Sequence, residues 1–590
     1  MKNIIKLLAL LPLFATTACD DLFEPAIENN RDLDAMYSDA DYALGVLGNG
    51  YILLPYNTSP TSDVATDDAV SNDNSNTWRA MATGAWTAQN DPASQWKNCY
   101  NAIQYLNLFL ERVESVPFSM ETNIQTLFVD SYSGEAYGLR AVYMYYLLRA
   151  HGGIGTDGQL LGVPIKTTSE SPESDFSQPR DTYADCIEQI LSDCDKAIEL
   201  LPLDYKDGHT ESEIPQKYLD LGINTGQYDR VNGVYRAGRI SGRIVEAIRA
   251  QAALMAASPA FAESGITWEE AANSAGTVLQ RIDGINGIDA DGYTWYCNTS
   301  EIAGLGNGSN PPEIIWRAGY SDSNTLEGDN FPPSLYGNGR VNPTQNLVDA
   351  FPMANGYPID NSNSEYDASN PYENRDPRLA TYIITNGSTA GSATITTGSY
   401  GTNNDAINRE SGHSTRTGYY MRKHLRFDCN LDPNYNTQQR HYSARIRYTE
   451  IFLDYAEAAN EAWGPKGTGS FGFSAYDVIK AIRTRAGVGV DNGDPYLEAC
   501  ANSQDQMREL IRNERRLELC FENIRFYDLR RWNANLTEAA QGVNITRAAN
   551  GTLTYTPIQV EERSYQPYMV YGPIPYNDVL NFGFIQNQGW

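Results

Sequence analysis

The sequence predicts a mainly helical protein, a stack of helical hairpins carrying large irregular loop and short-strand insertions. Three observations carry that expectation. Apolar residues recur at spacings of three and four through several stretches near both ends of the chain. A middle region, roughly 260–440, loses this period and fills with Gly, Asn, Ser and Thr. Alanines at close spacing around Ala247 and Ala252 permit tight helix–helix approach.

The first element is a processing signal. Lys2 and Lys6 precede the apolar run Leu7 to Ala15, which is too short to span a bilayer and has the shape of a secretory leader. Thr16-Thr17-Ala18-Cys19 resembles a bacterial lipobox, with Thr16 where Leu is usual. Residues 1–18 are read as the signal peptide and 19–40 as a tether anchored through a lipid on Cys19. Residues 41–330 form the N-terminal helical part with binding loops, and 331–590 complete the same body.

The helices follow in order. Trp96, Tyr100, Ile103, Leu106 and Phe109 line one face of a run over about 94–115. The stretch 130–150 is apolar nearly all round, so a helix there must be packed on several sides, and His151-Gly152-Gly153 stops it. Thr182 and Asp185 predict a capping box ahead of Ile187, Ile190, Leu191, Cys194 and Ile198. A further run over 234–257 ends at Ser258-Pro259. Beyond the middle region, helical texture returns at about 445–462, 475–485 and 503–519, the last with Ser503 and Gln506 as a second capping box. Paired hairpins suggest a tetratricopeptide-like stack, although no strict 34-residue period is legible.

Charge excludes several functions. The chain has 44 basic and 74 acidic residues, and removing the leader leaves 42 against 74. So acidic a protein lacks the positive footprint that nucleic acid requires, and a polyanionic ligand is disfavoured. The 8 cysteines contain no CxxC pair and the 5 histidines no HExxH, which argues against a disulfide scaffold or a metal hydrolase. No nucleophile elbow, phosphate loop or dinucleotide fingerprint points to an enzyme. No cofactor is expected. The Asp- and Asn-rich loops near 320–370 leave room for a structural calcium ion, though without the spacing of a calcium loop.

The C-terminal third resembles the SusD/RagB family of outer-membrane nutrient-binding lipoproteins of Bacteroidetes. The residues that carry it are the run Arg447 to Asn460, Ile482 to Gly487, Ile511 to Leu519, Phe521-Glu522, Arg525 to Trp532, Pro573-Ile574-Pro575 and Gln586 to Trp590. Upstream landmarks stand in the family's order at Leu139-Arg140-Ala141, Arg180 to Pro202 and Asn342 to Phe351. The resemblance implies a non-catalytic protein that binds glycan outside the cell and delivers it to a SusC-like TonB-dependent transporter. A peptide oligomer as ligand, or an adhesion or scaffold role, are the alternatives. Asp20-Asp21 after Cys19 resembles the family's acidic export signal, so an outer-membrane, outward-facing location follows.

Two sets of residues follow from the local chemistry. Glu514, Arg515, Arg516, Glu518, Arg525, Asp528 and Arg530 alternate with apolar residues that need burial, so they are read as a structural lock. Loop aromatics beside acids and amides suit sugar stacking, which singles out Asp67, Asp68, Trp78, Arg79 and Trp86. Trp295 and Tyr296 are the second group, followed by Trp316 and Tyr336. Trp96, within a helical pattern, is read as packing.

Overall fold

A helix that is apolar on almost every face persists only if neighbours cover it from several sides. In the computed structural model, which describes residues 37–56, 59–306 and 309–590, the central helix is buried along most of its length in this way. The leader 1–18, Cys19 and the tether as far as residue 36 lie outside the described residues.

The main helices are α1 (Ala40–Ile52), α2 (Trp96–Leu110), α3 (Thr122–His151), α4 (Tyr183–Leu200) and α5 (Gly242–Ala257). They continue with α6 (Trp268–Gln280), α7 (Tyr448–Trp463), α8 (Ala475–Ala486), α9 (Gln504–Glu518) and α10 (Arg525–Arg531). From α1 to α7 each packs on the next in chain order, and α7 also carries α8 and α9. Close approach needs small residues. A Cβ at Gly138 of α3 would lie 2.9 Å from Val245 Cγ2 of α5, so glycine lets these helices touch. Trp96 is packed into this core, as expected.

Details differ from the sequence expectation. Helix α3 begins at Thr122, ahead of the expected 130. Only half of each expected capping box forms. The Thr182 hydroxyl accepts from Asp185 N at 3.1 Å, but the Asp185 carboxylate takes the hydroxyl proton of Thr182 instead of its backbone N–H. Ser503 likewise caps Gln506 N at 3.4 Å without a returning bond. Helix α6 lies inside the region judged aperiodic, and it carries a complete capping box between Thr267 and Glu270.

Short strands interrupt the helices. β1 (Ile314–Arg317) pairs antiparallel with β4 (Ala444–Arg447), and β2 (Ser321–Ser323) with β3 (Gln439–His441). Residues 444–447, expected to open a helix, are therefore strand, and α7 starts only at Tyr448. In the tail, β5 (Ala540–Arg547) and β6 (Leu553–Glu561) form a hairpin. A second apolar core beneath these segments gathers Trp295, Tyr296, Phe331, Leu347, Tyr382 and Phe521.

The arginine-rich C-terminal helices are fastened by buried ion pairs. Glu514 accepts from Arg378 at 2.8 Å and Arg483 at 2.7 Å. Glu518 meets Arg485 at 2.7 Å and Arg378 at 3.1 Å. Arg515 bridges Asp454 of α7 and Asp528 of α10, at 2.5 and 2.7 Å. Arg530 donates to the Val570 carbonyl at 2.7 Å and stacks over Phe526. The far end of the chain returns to the first hairpins. Asn587 is fully buried, accepts from Arg180 at 2.9 Å and donates to the carbonyls of His151 and Gly572.

Candidate ligand-binding site

Between the N-terminal loop near Ser59, the 295–296 segment and the β2–β3 and β4 strands lies a cavity of about 340 Å³. Its walls are Trp295, Tyr296, Tyr442, His424, Arg445, Arg447, Glu450 and the turn Phe521–Ile524, with serines and threonines of β2 and its flanks.

Aromatic packing shapes one wall. The Trp295 ring lies 5.3 Å from Tyr442 and 5.8 Å edge-on from Tyr296, while His424 sits 5.6 and 5.4 Å from Trp295 and Tyr296. Tyr442 donates its hydroxyl to the Trp295 carbonyl at 3.1 Å, which fixes β3–β4 against the 295 segment. Burial holds His424 down at about 4, and its Nε2–H donates to the Phe521 carbonyl at 3.0 Å, so the ring is neutral. The indole Nε1–H of Trp295 is buried and, among the described residues, has no acceptor.

The opposite wall is basic and acidic in turn. Arg447 is matched, donating to Glu522 at 2.8 Å and to Glu313 at 2.7 Å. Arg445 is not: among the described residues it has no carboxylate or hydrogen-bond partner, and its guanidinium lies 4.8 Å over the Trp316 ring and 5.9 Å over Tyr56. Desolvation lowers its proton affinity. Glu450 is pushed up to about 8, first by burial and then by Asp454, and accepts from Gln251 at 2.7 Å. Between the lining residues Gly319 and Ser321, Tyr320 does not line the cavity: it is half-buried against the second core, with Arg440 stacked on it at 4.6 Å.

The floor is set by an unusual turn. Phe521 and Asn523 both adopt left-handed backbone, φ 63° and 62°, a conformation that a bulky residue such as Phe521 rarely takes without support. Asp63 supplies that support, its carboxylate accepting both their N–H groups at 3.0 Å. The Asn523 side chain then ties Thr61, Ser62 and Ser59 to the same turn.

The residues singled out from the sequence separate into two places. Trp295 and Tyr296 line the cavity, although each is largely buried and shows it little more than an edge. The other group is elsewhere. Asp67 is bonded to Arg516 at 2.8 Å and Arg525 at 3.0 Å, and Asp68 to Arg516. Arg79 pairs with Glu561 at 2.7 Å. Trp86 was expected on an exposed loop. It is instead a core residue, 3% exposed, wedged against Trp590, Phe526 and Tyr565, with its Nε1–H on Asp91. Trp78 is half-buried against Phe526. Trp316 is buried beneath Arg445, and Tyr336 is exposed. Sequence reasoning missed Tyr442, Arg445, His424 and Asn523. The one available signal was the alternation Tyr442-Ser443-Ala444-Arg445-Ile446, which marks a strand.

Comparison with known proteins places this architecture. The pattern of the SusD family matches residues 312–590, and a second pattern, described as starch-binding associating with outer membrane, matches residues 33–216. A SusD-like protein of Formosa agariphila is 23% identical over 461 residues, covering 74% of this chain and 72% of its own. A SusD-like protein of Bacteroides fragilis has the same fold, with a TM-score of 0.69 at 21% identity over 96% of this chain and all of its own. A SusD-like carbohydrate binding protein from that organism gives a TM-score of 0.64 at 20% identity, over 92% of this chain and 98% of its own. The chain belongs to the SusD family. Members of the family bind without catalysing, and this chain is a binding protein rather than an enzyme.

Proposed function

We propose that the protein captures an oligosaccharide or polysaccharide outside the cell and delivers it to a SusC-like TonB-dependent outer-membrane transporter. The observation that carries the glycan reading is the aromatic-walled cavity lined by the Arg445 guanidinium, which among the described residues has no carboxylate or hydrogen-bond partner. Sugars present C–H faces to rings and hydroxyls to such donors, and a planar guanidinium can engage two neighbouring hydroxyls at once. The carbohydrate-binding relative from B. fragilis supports the same class of ligand.

Delivery rests on family membership and on the Cys19 motif. A lipid there would hold the protein beside its transporter and raise its effective concentration, on a tether shorter than the expected 19–40, since Tyr37 is buried in the core and α1 starts at Ala40. Among the described residues no helix is long and apolar enough to cross a membrane. The consecutive packing of α1 to α7 supports a tetratricopeptide-like reading of the stack, whose breadth would suit a face for the transporter.

The deciding experiment is calorimetric titration of purified protein with neutral glycans, acidic glycans and peptides. Saturable binding of a neutral glycan without turnover is expected. Peptide binding with no glycan binding would overturn the reading. For the anchor, Cys19→Ala should move the chain out of the outer-membrane fraction.

A further inference from the structure

Beside the cavity three metal-binding side chains converge from separate segments. Glu327, on the short helix Thr325–Asn330, Cys429, and His441 of β3 bring a carboxylate oxygen, a thiol and a ring nitrogen within 4.8 Å of one another. The Glu327 side chain is completely buried. Its Oε1 accepts from Arg426 N at 2.8 Å and lies 2.9 Å from His441 Nε2, while Oε2 is buried with no hydrogen-bond partner among the described residues. A buried carboxylate oxygen without a donor is unfavourable, and a bound cation relieves it.

The surroundings favour such a cation. His441 Nδ1 donates to the Gln439 carbonyl at 2.8 Å, the outer contact that orients a ligating imidazole and leaves Nε2 for the metal. The neighbouring Arg426 is already neutralised by Asp428, at 2.9 Å and 2.5 Å, so its charge does not oppose an ion at Glu327. Cys429 is buried, with Sγ 3.7 Å from the Ser323 carbonyl. His441, Ser323, Thr325 and Leu326 also line the ligand cavity, which gives an ion a route inward and a source for a fourth ligand.

We propose that Glu327, Cys429 and His441 form a three-ligand site for a thiophilic divalent cation, zinc foremost, that clamps the cavity wall. A mixed oxygen, nitrogen and sulfur donor set suits Zn²⁺ in tetrahedral geometry with one open position, whereas Ca²⁺ requires oxygen ligands throughout. Coordination takes the proton from the Cys429 thiol, so thiolate and carboxylate together balance the ion's two charges. The clamp joins β2 and its following helix to the β3 strand.

Tag-free, reduced protein titrated with Co²⁺ as a spectroscopic stand-in tests this directly. One equivalent should bind with a thiolate-to-cobalt charge-transfer band, and Zn²⁺ should displace it. Cys429→Ser should abolish the band, and Glu327→Gln, which is nearly isosteric, should weaken Zn²⁺ affinity at least about tenfold. Cys500→Ser, at a buried cysteine packed in the helical core, should leave both unchanged. Absence of stoichiometric uptake by the wild type overturns the proposal. So does a charge-transfer band that survives in Cys429→Ser, with thermal melts showing each variant folded.

Discussion

Glu514 and Arg378 face one another at 2.8 Å with both side chains wholly removed from solvent. Arg483 closes on the same carboxylate from α8, and Glu518, one helical turn on, engages Arg378 as well. Charges buried this deeply persist only when every partner is present. The two arginines hold Glu514 below the usual carboxylate range against the opposing effect of burial.

Removing one member should therefore destabilise the protein severely. Arg378→Ala leaves Asp376, Glu514 and Glu518 without this common partner, and the expected loss is about 3–5 kcal/mol by denaturant unfolding. A loss below about 1 kcal/mol would show that the network is not a lock.

The two aromatic groups should differ in their effect on affinity. Trp86→Ala empties a packed core position and should cost about 3–5 kcal/mol while leaving glycan affinity intact in the folded fraction. Tyr296→Ala, at the cavity wall, should lower affinity even in the folded fraction, alongside a loss of stability for a largely buried ring. Paired melting and titration experiments decide this.

Arg445 offers the cleanest test of the cavity. It has no partner to strand among the described residues, so Arg445→Ala should leave the melting temperature close to wild type. Ligand affinity should fall by about tenfold to a hundredfold, the worth of one or two charge-assisted hydrogen bonds. Unchanged affinity would move the ligand elsewhere.

Glu450 makes stability depend on pH. Its carboxyl is raised from an ordinary 4.5 to about 8, so the folded state retains a proton that the unfolded chain has released. That contribution is complete below pH 4.5 and is lost as pH rises through 8. Asp63, raised to about 7, acts in the same sense at lower pH, and His424, held near 4, works oppositely below its ordinary 6.5. Between pH 7 and 8 the Glu450 decline should dominate these three, at about 1 kcal/mol per pH unit. Glu450→Gln should flatten it, as read from unfolding curves at each pH.

What the sequence disclosed, and what it hid, follows from how local each signal is. Helix α4 was legible because Ile187, Ile190 and Cys194 lie on one face of a single segment. The burial of Arg515 and Glu518 was legible because Leu517 and Ile511 beside them had to be inside. Trp86 was misread for the converse reason. Its own neighbours are polar, and the rings that cover it, Tyr565 and Trp590, arrive from the other end of the chain. The cavity was illegible for the same cause, since Trp295, Arg445 and Asn523 belong to three segments with no shared local pattern. Helix α6 could have been found from Thr267 and Glu270 alone.

The Asn587 contacts also order events in time. Its bond to the His151 carbonyl spans 436 positions, and that with Arg180 spans 407. Contacts so distant form late, after local helices, because closing so long a loop is entropically unfavourable until much else is in place. The first hairpins can thus assemble early, but their final fastening waits for the far end of the polypeptide. A chain that stopped short of Asn587 would therefore build its first hairpins yet leave them unfastened at this end.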